Sequence, residues 1–303
     1  MDISIIIVNW NTKYLLIECL DSIFQTVKSI SFEVWVVDNG SEDGSIEAIR
    51  DRYPGINTIE NMMNRGFASA NNRALKQIKG RYALLLNTDA KLTDGAVEHL
   101  FNFMETTPEA GMACGQLLNP DGSRQNSFAN FPSVISLLSN ETILRTLFPN
   151  RFPSKRKQYT SPVEIESCIG ACMIVRKRAM DEVGLLDETY FFFFEETDWA
   201  FRMKKAGWYS YFVPGARIIH GQGKTVGANS NARIMFYRSR YIYIKKWHRR
   251  SWLAMRIIIF TRLLINAGLN LAGVMVTFGM YPAIKKKLEI YGRLILWHLK
   301  GCP

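Results

Sequence analysis

The chain has 303 residues, 48% of them hydrophobic, with 38 Lys and Arg against 27 Asp and Glu. That length buries a full core and excludes both a small disulfide scaffold and a generally disordered protein. The charge is unevenly placed: residues 1–198 carry net −7, whereas residues 199–303 carry +18 with Glu289 as their sole acid.

The first elements alternate. Residues 2–9, DISIIIVN, read as a buried strand stopped by WNT, and residues 13–25 as a helix. FEVWVVDNGS (32–41) is a second strand, with a helix opening near Ser41 or Ser45. Residues 56–59 form a short third strand, 66–79 a helix, 82–90 (YALLLNTDA) a strand ending in acid, and 95–105 a helix. Continuous apolar strands between helices predict an α/β fold with a Rossmann-like, mostly parallel central sheet covered on both faces. Ligands are expected at the polar ends of its strands.

Residues 120–162, with Pro120, Pro132, Pro149, Pro153 and Pro162, read as a long loop region around a short helix near 134–147. Residues 165–184 read as a strand and a helix, 191–207 as a helix with acids at its mouth, and 208–220 as a late strand ending at His220. Cys19, Cys114, Cys168, Cys172 and Cys302 have no zinc-ribbon spacing and read as reduced, packed thiols. The Met1–Asp2 start has neither a basic segment nor a signal-like apolar core, so secretion is not expected.

Several residues carry chemistry. Asp38 and Asp89 each end a strand, so a parallel sheet points both into one crevice, where carboxylates hold a nucleoside or a divalent ion; the alternative is that each caps the next helix. Glu195, Glu196 and Asp198 follow four phenylalanines, and a carboxylate beside an apolar wall suits a general base. An acidic first helical turn is the plainer alternative, with Asp198 orienting Arg202. His220, beside Gly221 and Gly223, reads as a metal or diphosphate contact or as a packing histidine, and Lys224 and Arg233 favour phosphate. Gly66, after Asn64, and Asn71 mark a helix start that approaches a ligand closely. No GxGxxG or Walker motif follows a strand, which speaks against hydride transfer and P-loop chemistry.

Residues 263–282 hold no charge, with aromatics and cations before them (237–252) and Lys285, Lys286 and Lys287 after. Such rims suit an anionic bilayer surface better than a duplex, so nucleic acid is not expected as a partner. A single span over 263–281, interfacial helices, and a buried hairpin or homodimer interface are the three readings of this tail.

The segments SIIIVNWN (4–11), VWVVDNGSEDGS (34–45), NRGFASANN (64–72), LLLNTDA (84–90), 166–208 and IIH (218–220) together resemble the inverting family 2 glycosyltransferases of GT-A fold, and among them the rhamnosyltransferase-like enzymes of bacterial surface polysaccharide synthesis. The resemblance implies a GT-A catalytic domain over 1–232 and a basic, membrane-associating helical region over 233–303. It implies that Val8, Asn9 and Trp10 surround the nucleoside, with Asp38 near the base and Asn64, Gly66 and Asn71 on the nucleotide side. It matches Asn87–Thr88–Asp89 to the DxD-type metal motif, with Asn87 in place of the first acid, and His220 to the residue that assists at the metal-diphosphate end. Gly170–Ala171 would wall donor from acceptor, and Glu196 matches the general base, with Glu195 and Asp198 as the alternative assignments of that role.

The implied cofactor is Mg²⁺ or Mn²⁺. The implied partners are a dTDP- or UDP-linked sugar, foremost dTDP-rhamnose, and a polysaccharide or polyprenyl-diphosphate-linked acceptor at the cytoplasmic face of the bacterial inner membrane. UDP-hexose or UDP-N-acetylhexosamine transfer is the alternative within the class. A sugar-nucleotide pyrophosphorylase and a non-catalytic membrane adaptor are alternatives outside it; the first lacks its glycine-rich phosphate loop, and the second leaves both acidic clusters unused.

Overall fold

The computed structural model describes all residues except 140, 150, 156, 222–229 and 303. Lys224 and Gly223 therefore lie outside the described residues. The chain divides into two compact units.

The first unit comprises Met1–Phe131, Pro149–Phe191 and Glu195–Thr225. It opens with β1 (Ile3–Asn9), α1 (Lys13–Thr26), β2 (Phe32–Asp38), α2 (Ser45–Arg52), β3 (Asn57–Glu60), α3 (Phe67–Leu75) and β4 (Tyr82–Asn87), the predicted alternation. Then come β5 (Ala90–Leu92), α4 (Ala96–Thr106), β6 (Ala110–Leu118), β7 (Phe128–Ala129), β8 (Val163–Ile165), β9 (Ser167–Cys168), β10 (Cys172–Arg176), α7 (Lys177–Val183), α8 (Glu195–Lys205) and β11 (Tyr209–His220). Between β7 and β8, the second unit takes α5 (Val134–Leu138) and α6 (Glu141–Leu147).

The sheet runs β3-β2-β1-β4-β10-β6-β11-β5, with β8 on β11. Strands β3, β2, β1 and β4 are parallel, as expected. Beyond them the sheet is mixed rather than mostly parallel, because β10 opposes both β4 and β6, and β5 opposes β11. β1 is buried on both faces from Ile3 to Ile7, with α1 packing Leu16, Cys19, Leu20 and Ile23 into the core that holds Ile3, Ile5 and Ile7. Truncating Ile5 to Ala at this depth would cost about 2–5 kcal/mol.

Two departures from the sequence reading have local causes. The predicted strand over 82–90 breaks at Thr88–Asp89, because Ala90 leaves the parallel run to pair with His220 of β11. β6 escaped the sequence reading because Ala110, Gly111, Ala113 and Gly115 lack the β-branched signature of a strand. A Cβ on Gly115 would sit 2.4 Å from the Ala216 carbonyl oxygen, so the absence of a side chain lets β11 come close. The helix with acids at its mouth begins at Glu195, as the sequence implies, and Phe193 and Phe194 before it hold φ of 68° and 71°, outside the helical region.

The five cysteines are free, buried thiols, as their spacing implied.

The second unit comprises Pro132–Phe148, Phe192–Phe194 and Val226–Pro303. Besides α5 and α6 it contains α9 (Ser230–Trp247), α10 (Trp252–Val276) and α11 (Pro282–Leu299). Ser239 Oγ on α9 donates to the Phe192 carbonyl at 2.7 Å, and the Phe193 and Phe194 rings meet Phe236 at 5.5 and 5.2 Å. The uncharged run 263–282 is not one helix: α10 ends at Val276, Phe278 and Gly279 turn with positive φ, and α11 packs back on α10. The helix over Arg249–Val276 is long and apolar enough to cross a membrane, with mean hydropathy 1.7 over its best window, of which 11% is buried. The hairpin reading thus holds for topology, but Leu253, Ile257, Leu269 and Val276 are exposed rather than buried.

Candidate active site

The register of the parallel strands brings the candidate residues to one edge. Asn9 stands opposite Asp38, and Val8 opposite Asn87, at the carboxyl ends of β1, β2 and β4. Asn87 donates its backbone N–H to the Ala171 carbonyl at 2.9 Å, which adds the Gly170–Ala171 turn before β10. Pairing of β5 with β11 adds His220.

Around β1 and β2 the polar groups mainly hold one another. Asn9 Nδ2 donates to Asp38 Oδ1 at 2.8 Å and to Ser41 Oγ at 3.0 Å, and Thr12 Oγ1 donates to Asn9 Oδ1 at 2.8 Å. Asp38 Oδ2 accepts the backbone N–H groups of Gly40 and Ser41. Asp38 therefore closes the turn after β2; α2 starts later, behind Gly44, so the alternative of Asp38 as its cap does not hold. Trp10 is exposed and Val8 half-buried at the end of β1.

Asn39 links this turn to the next. Its Nδ2 donates to Asn64 Oδ1 at 3.2 Å and to the Gly66 carbonyl at 3.3 Å, and Gly66 N–H donates to Asn64 Oδ1 at 2.9 Å. Gly66 has φ +84°, and a Cβ there would lie 2.4 Å from the Phe191 carbonyl oxygen, which accepts the Phe67 N–H. Only glycine fits this approach. Asn71 is buried one turn into α3, its Nδ2 on the Phe67 carbonyl and its Oδ1 without a hydrogen-bond partner.

Asp89 and His220 form the metal candidate. Asp89 is followed by a strand, so it caps no helix. Its Oδ1 is buried without a hydrogen-bond partner and lies 3.4 Å from His220 Nε2. Gln125 Nε2 donates to Asn119 Oδ1 and to the His220 carbonyl, both at 2.7 Å, which turns Gln125 Oε1 toward His220 Nδ1 at 3.0 Å. That oxygen accepts from Nδ1–H and leaves Nε2 as the ring nitrogen that faces a carboxylate oxygen. Two acceptors aimed at one point suit a divalent cation, and the fixed tautomer is what a histidine ligand needs. Among the described residues there is no cluster of three or more His, Cys, Asp or Glu, so these two would leave most of an ion's coordination to ligand oxygens.

The three acids of α8 take different roles. Asp198 is fully buried and accepts from Arg202 Nε at 2.9 Å, while Arg202 also donates to the carbonyls of Val183 and Leu185. It has the Arg202-orienting role and ties α8 to the turn after α7. Glu195 is buried, with Oε2 lacking a hydrogen-bond partner; burial first, and the neighbouring Glu196 second, push its carboxyl well above the usual range. Glu196 is half-buried, accepts from Thr197 Oγ1 at 3.1 Å, and its Cγ would lie 3.9 Å from a Cβ on Gly170. Of the three, Glu196 combines partial exposure with a place beside the Gly170–Ala171 turn.

Sequence does not single out Gln125, and it marks Asn39 only as the strand end beside Asp38 and Ser41 only as a possible helix start. Gln125 lies in the proline-rich stretch, where no periodicity marks it.

The chain from residue 4 to 184 matches the model of the family "Glycosyl transferase family 2". It is 28% identical over 237 residues to the N-acetylglucosaminyl-diphospho-decaprenol L-rhamnosyltransferase of Mycobacterium tuberculosis, covering 73% of this chain and 77% of that protein. It is also 28% identical over 178 residues to the poly(ribitol-phosphate) beta-glucosyltransferase of Bacillus spizizenii, 55% of this chain and 28% of that one. Among solved structures, a mannosyltransferase of Pyrobaculum calidifontis in complex with GDP-Man and Mn²⁺ superposes with TM-score 0.63 at 16% identity, over 98% of this chain and 86% of the other. The structural likeness establishes the GT-A fold.

Proposed function

The chain belongs to glycosyl transferase family 2 and is a glycosyltransferase, and we propose that it transfers L-rhamnose from dTDP-rhamnose, with inversion, to a glycan or polyprenyl-diphosphate-linked saccharide. The observation that carries the metal-dependent mechanism is the facing pair of acceptors, Asp89 Oδ1 and His220 Nε2, at the strand-end crevice. The donor and the lipid-linked acceptor are supported by the mycobacterial relative, whose name states both rhamnose and a diphospho-decaprenol.

Asn9, Asp38 and Trp10 hold the nucleoside, with the Asn64–Gly66 turn and Asn71 on the nucleotide side. Asp89 and His220 would hold Mg²⁺ or Mn²⁺, which when bound neutralises charge on a departing nucleoside diphosphate. Glu196 takes the proton from the acceptor hydroxyl as that oxygen bonds to the anomeric carbon. The bond from that carbon to the diphosphate oxygen breaks on the opposite face, so the anomeric configuration inverts. Gly170 leaves room beside Glu196 for the acceptor, since a larger side chain would fill the space over its Cγ.

On this reading the enzyme works at the anionic cytoplasmic face of the bacterial inner membrane, with the α10–α11 hairpin as its anchor. Its exposed apolar residues and the triplet Lys285, Lys286 and Lys287 support that reading.

The test is binding and turnover across dTDP-rhamnose, UDP-glucose, UDP-galactose, UDP-N-acetylglucosamine and GDP-mannose, with and without Mn²⁺. A Mn²⁺-dependent preference for dTDP-rhamnose is expected. Preference for a UDP-sugar would replace the donor and keep the mechanism, whereas equal binding without metal would remove the role of Asp89 and His220.

A further inference from the structure

The second unit has an unusual charge balance. Its sequence contains Glu141 and Glu289 as its acids against 15 Lys and Arg. Glu289 is taken by Arg293 at 2.8 Å on the solvent side of α11. An arginine withdrawn from water ordinarily finds a carboxylate. Among the described residues no ion pair is found for Arg240 on α9, which is half-buried with its Nε buried and lacking a hydrogen-bond partner. Burial holds its guanidinium below its ordinary value, and the like charge of Arg262 on α10 adds to the effect. Tyr237, one turn earlier on α9, stands in the field of Arg233, Arg240 and Arg262.

Arg262 joins this cluster to an apolar feature. Its Nη1 donates to the Leu137 carbonyl at 2.6 Å, mooring α5 to α10. The same side chain lines a groove of about 660 Å³ with Leu137, Leu138, Ile257, Ile258 and Ile265, and with Ser139 and Thr261 as its other polar residues. That volume is in the range of ordinary small-ligand sites. A largely apolar groove lined by Arg262, in whose field Arg240 stands, calls for an amphiphile with a multiply charged anionic head.

We propose that this groove and its arginines bind the isoprenyl diphosphate portion of a lipid-linked acceptor, with the chain along Leu137, Leu138, Ile257, Ile258 and Ile265 and the diphosphate on Arg240 and Arg262. The identity of the lipid as an acceptor rests on the transferase reading above; the site itself rests on the second unit alone. A membrane phospholipid fits less well, since it brings two chains to a single groove and, as phosphatidylglycerol, a single charge to two guanidinium groups. Arg233 strengthens the positive field without being required as a contact.

The experiment uses full-length protein in detergent and farnesyl diphosphate as the probe, read by calorimetry against inorganic pyrophosphate, farnesol and phosphatidylglycerol vesicles. Farnesyl diphosphate is expected to bind saturably and at least tenfold more tightly than pyrophosphate or farnesol. Arg240→Gln, Arg262→Gln and Ile257→Asp should each weaken it by about tenfold or more, a factor equivalent to about 1.4 kcal/mol. Arg240→Lys should lose less than Arg240→Gln. Melting temperature accompanies each variant, and if Arg262→Gln loosens α5 the decision rests on Arg240→Gln and Ile257→Asp. Unchanged affinity in those two variants, or displacement of the probe by phosphatidylglycerol at equal headgroup concentration, would overturn the site. Mn²⁺-dependent nucleotide binding is measured in parallel: its loss in the wild type counts against the transferase reading, while its retention in the variants confines their defect to the lipid site.

Discussion

Asp89 Oδ1 and His220 Nε2 stand 3.4 Å apart with no hydrogen bond to the carboxylate oxygen, brought together by the antiparallel pairing of β5 with β11. The imidazole is turned by Gln125, which itself is fixed by Asn119 and the His220 carbonyl. The chemistry at this point therefore depends on three chain segments that are distant in sequence.

Asp89→Asn should abolish Mn²⁺-dependent donor binding, because the neutral amide gives up the charge that holds the ion. Gln125→Ala should retain the ligands but lose orientation of His220, weakening Mn²⁺ by about 10–100-fold. Titration of Mn²⁺ at fixed nucleotide measures both; an unchanged midpoint for Gln125→Ala would remove its orienting role.

Glu196→Gln should leave donor affinity nearly intact and lower kcat by about 10²-fold or more, the share of a positioned base. Asp198→Asn should behave differently. It leaves Arg202 facing a neutral partner at a fully buried site, so the main loss is in folding, on the order of 3 kcal/mol. Thermal melting beside single-turnover kinetics separates the two, and a stable, inactive Asp198→Asn enzyme would return the base to that position.

The raised Glu195 carboxyl has a consequence for stability. In the folded chain it keeps its proton above the pH, about 4.3, at which the unfolded chain releases one. Stability from this group is full below that pH and declines as pH rises toward the folded value. Glu195→Gln carries no such titration, so its melting temperature relative to wild type should climb between pH 5 and pH 8. A constant difference across that range would contradict the assignment.

Gly66→Ala should cost about 1–3 kcal/mol of stability, since the new Cβ meets the Phe191 carbonyl and the backbone is held at φ +84°. Nucleotide affinity should fall with it, because Asn39 and Asn64 are tied to the same turn. Calorimetric melting and a dTDP titration provide the two readings.

Replacing Lys285, Lys286 and Lys287 together by Glu should sharply reduce flotation with phosphatidylglycerol vesicles, each lysine near an anionic surface contributing about 1 kcal/mol. Raising the salt should have the same direction of effect on the wild type. Undiminished flotation of the variant would assign the exposed face of α10 to another use, a second copy of the chain being first in line for a sedimentation measurement.

Much of the first unit is local in origin and was legible from sequence. The all-apolar runs of β1, β2 and β4 between amphipathic helices imply a parallel sheet with the strand-end acid Asp38 at its carboxyl edge. Asn9 and Asn87 were marked by the family resemblance and are brought to the same edge by the strand register. The stretch from Ala110 to Leu118 was not legible, because its small residues acquire meaning only when β11 packs against them. The three acids of α8 were visible as a cluster, yet their division into a pair for Arg202, a buried carboxyl and a half-exposed one depends on which neighbours the fold brings up.

By itself, the sequence determined the α/β alternation, the family motifs, the sites of charge and the apolar tail, since those follow from side-chain period and composition. Tertiary structure alone decided that the strand through Asn87 breaks before Ala90, that the pairing of β5 with β11 brings Asp89 to His220, and that Gln125 orients the histidine ring. It also decided that the uncharged run 263–282 folds back as a hairpin. Such outcomes depend on long-range pairing and excluded volume, in which each residue's role is set by an atom many positions away along the chain.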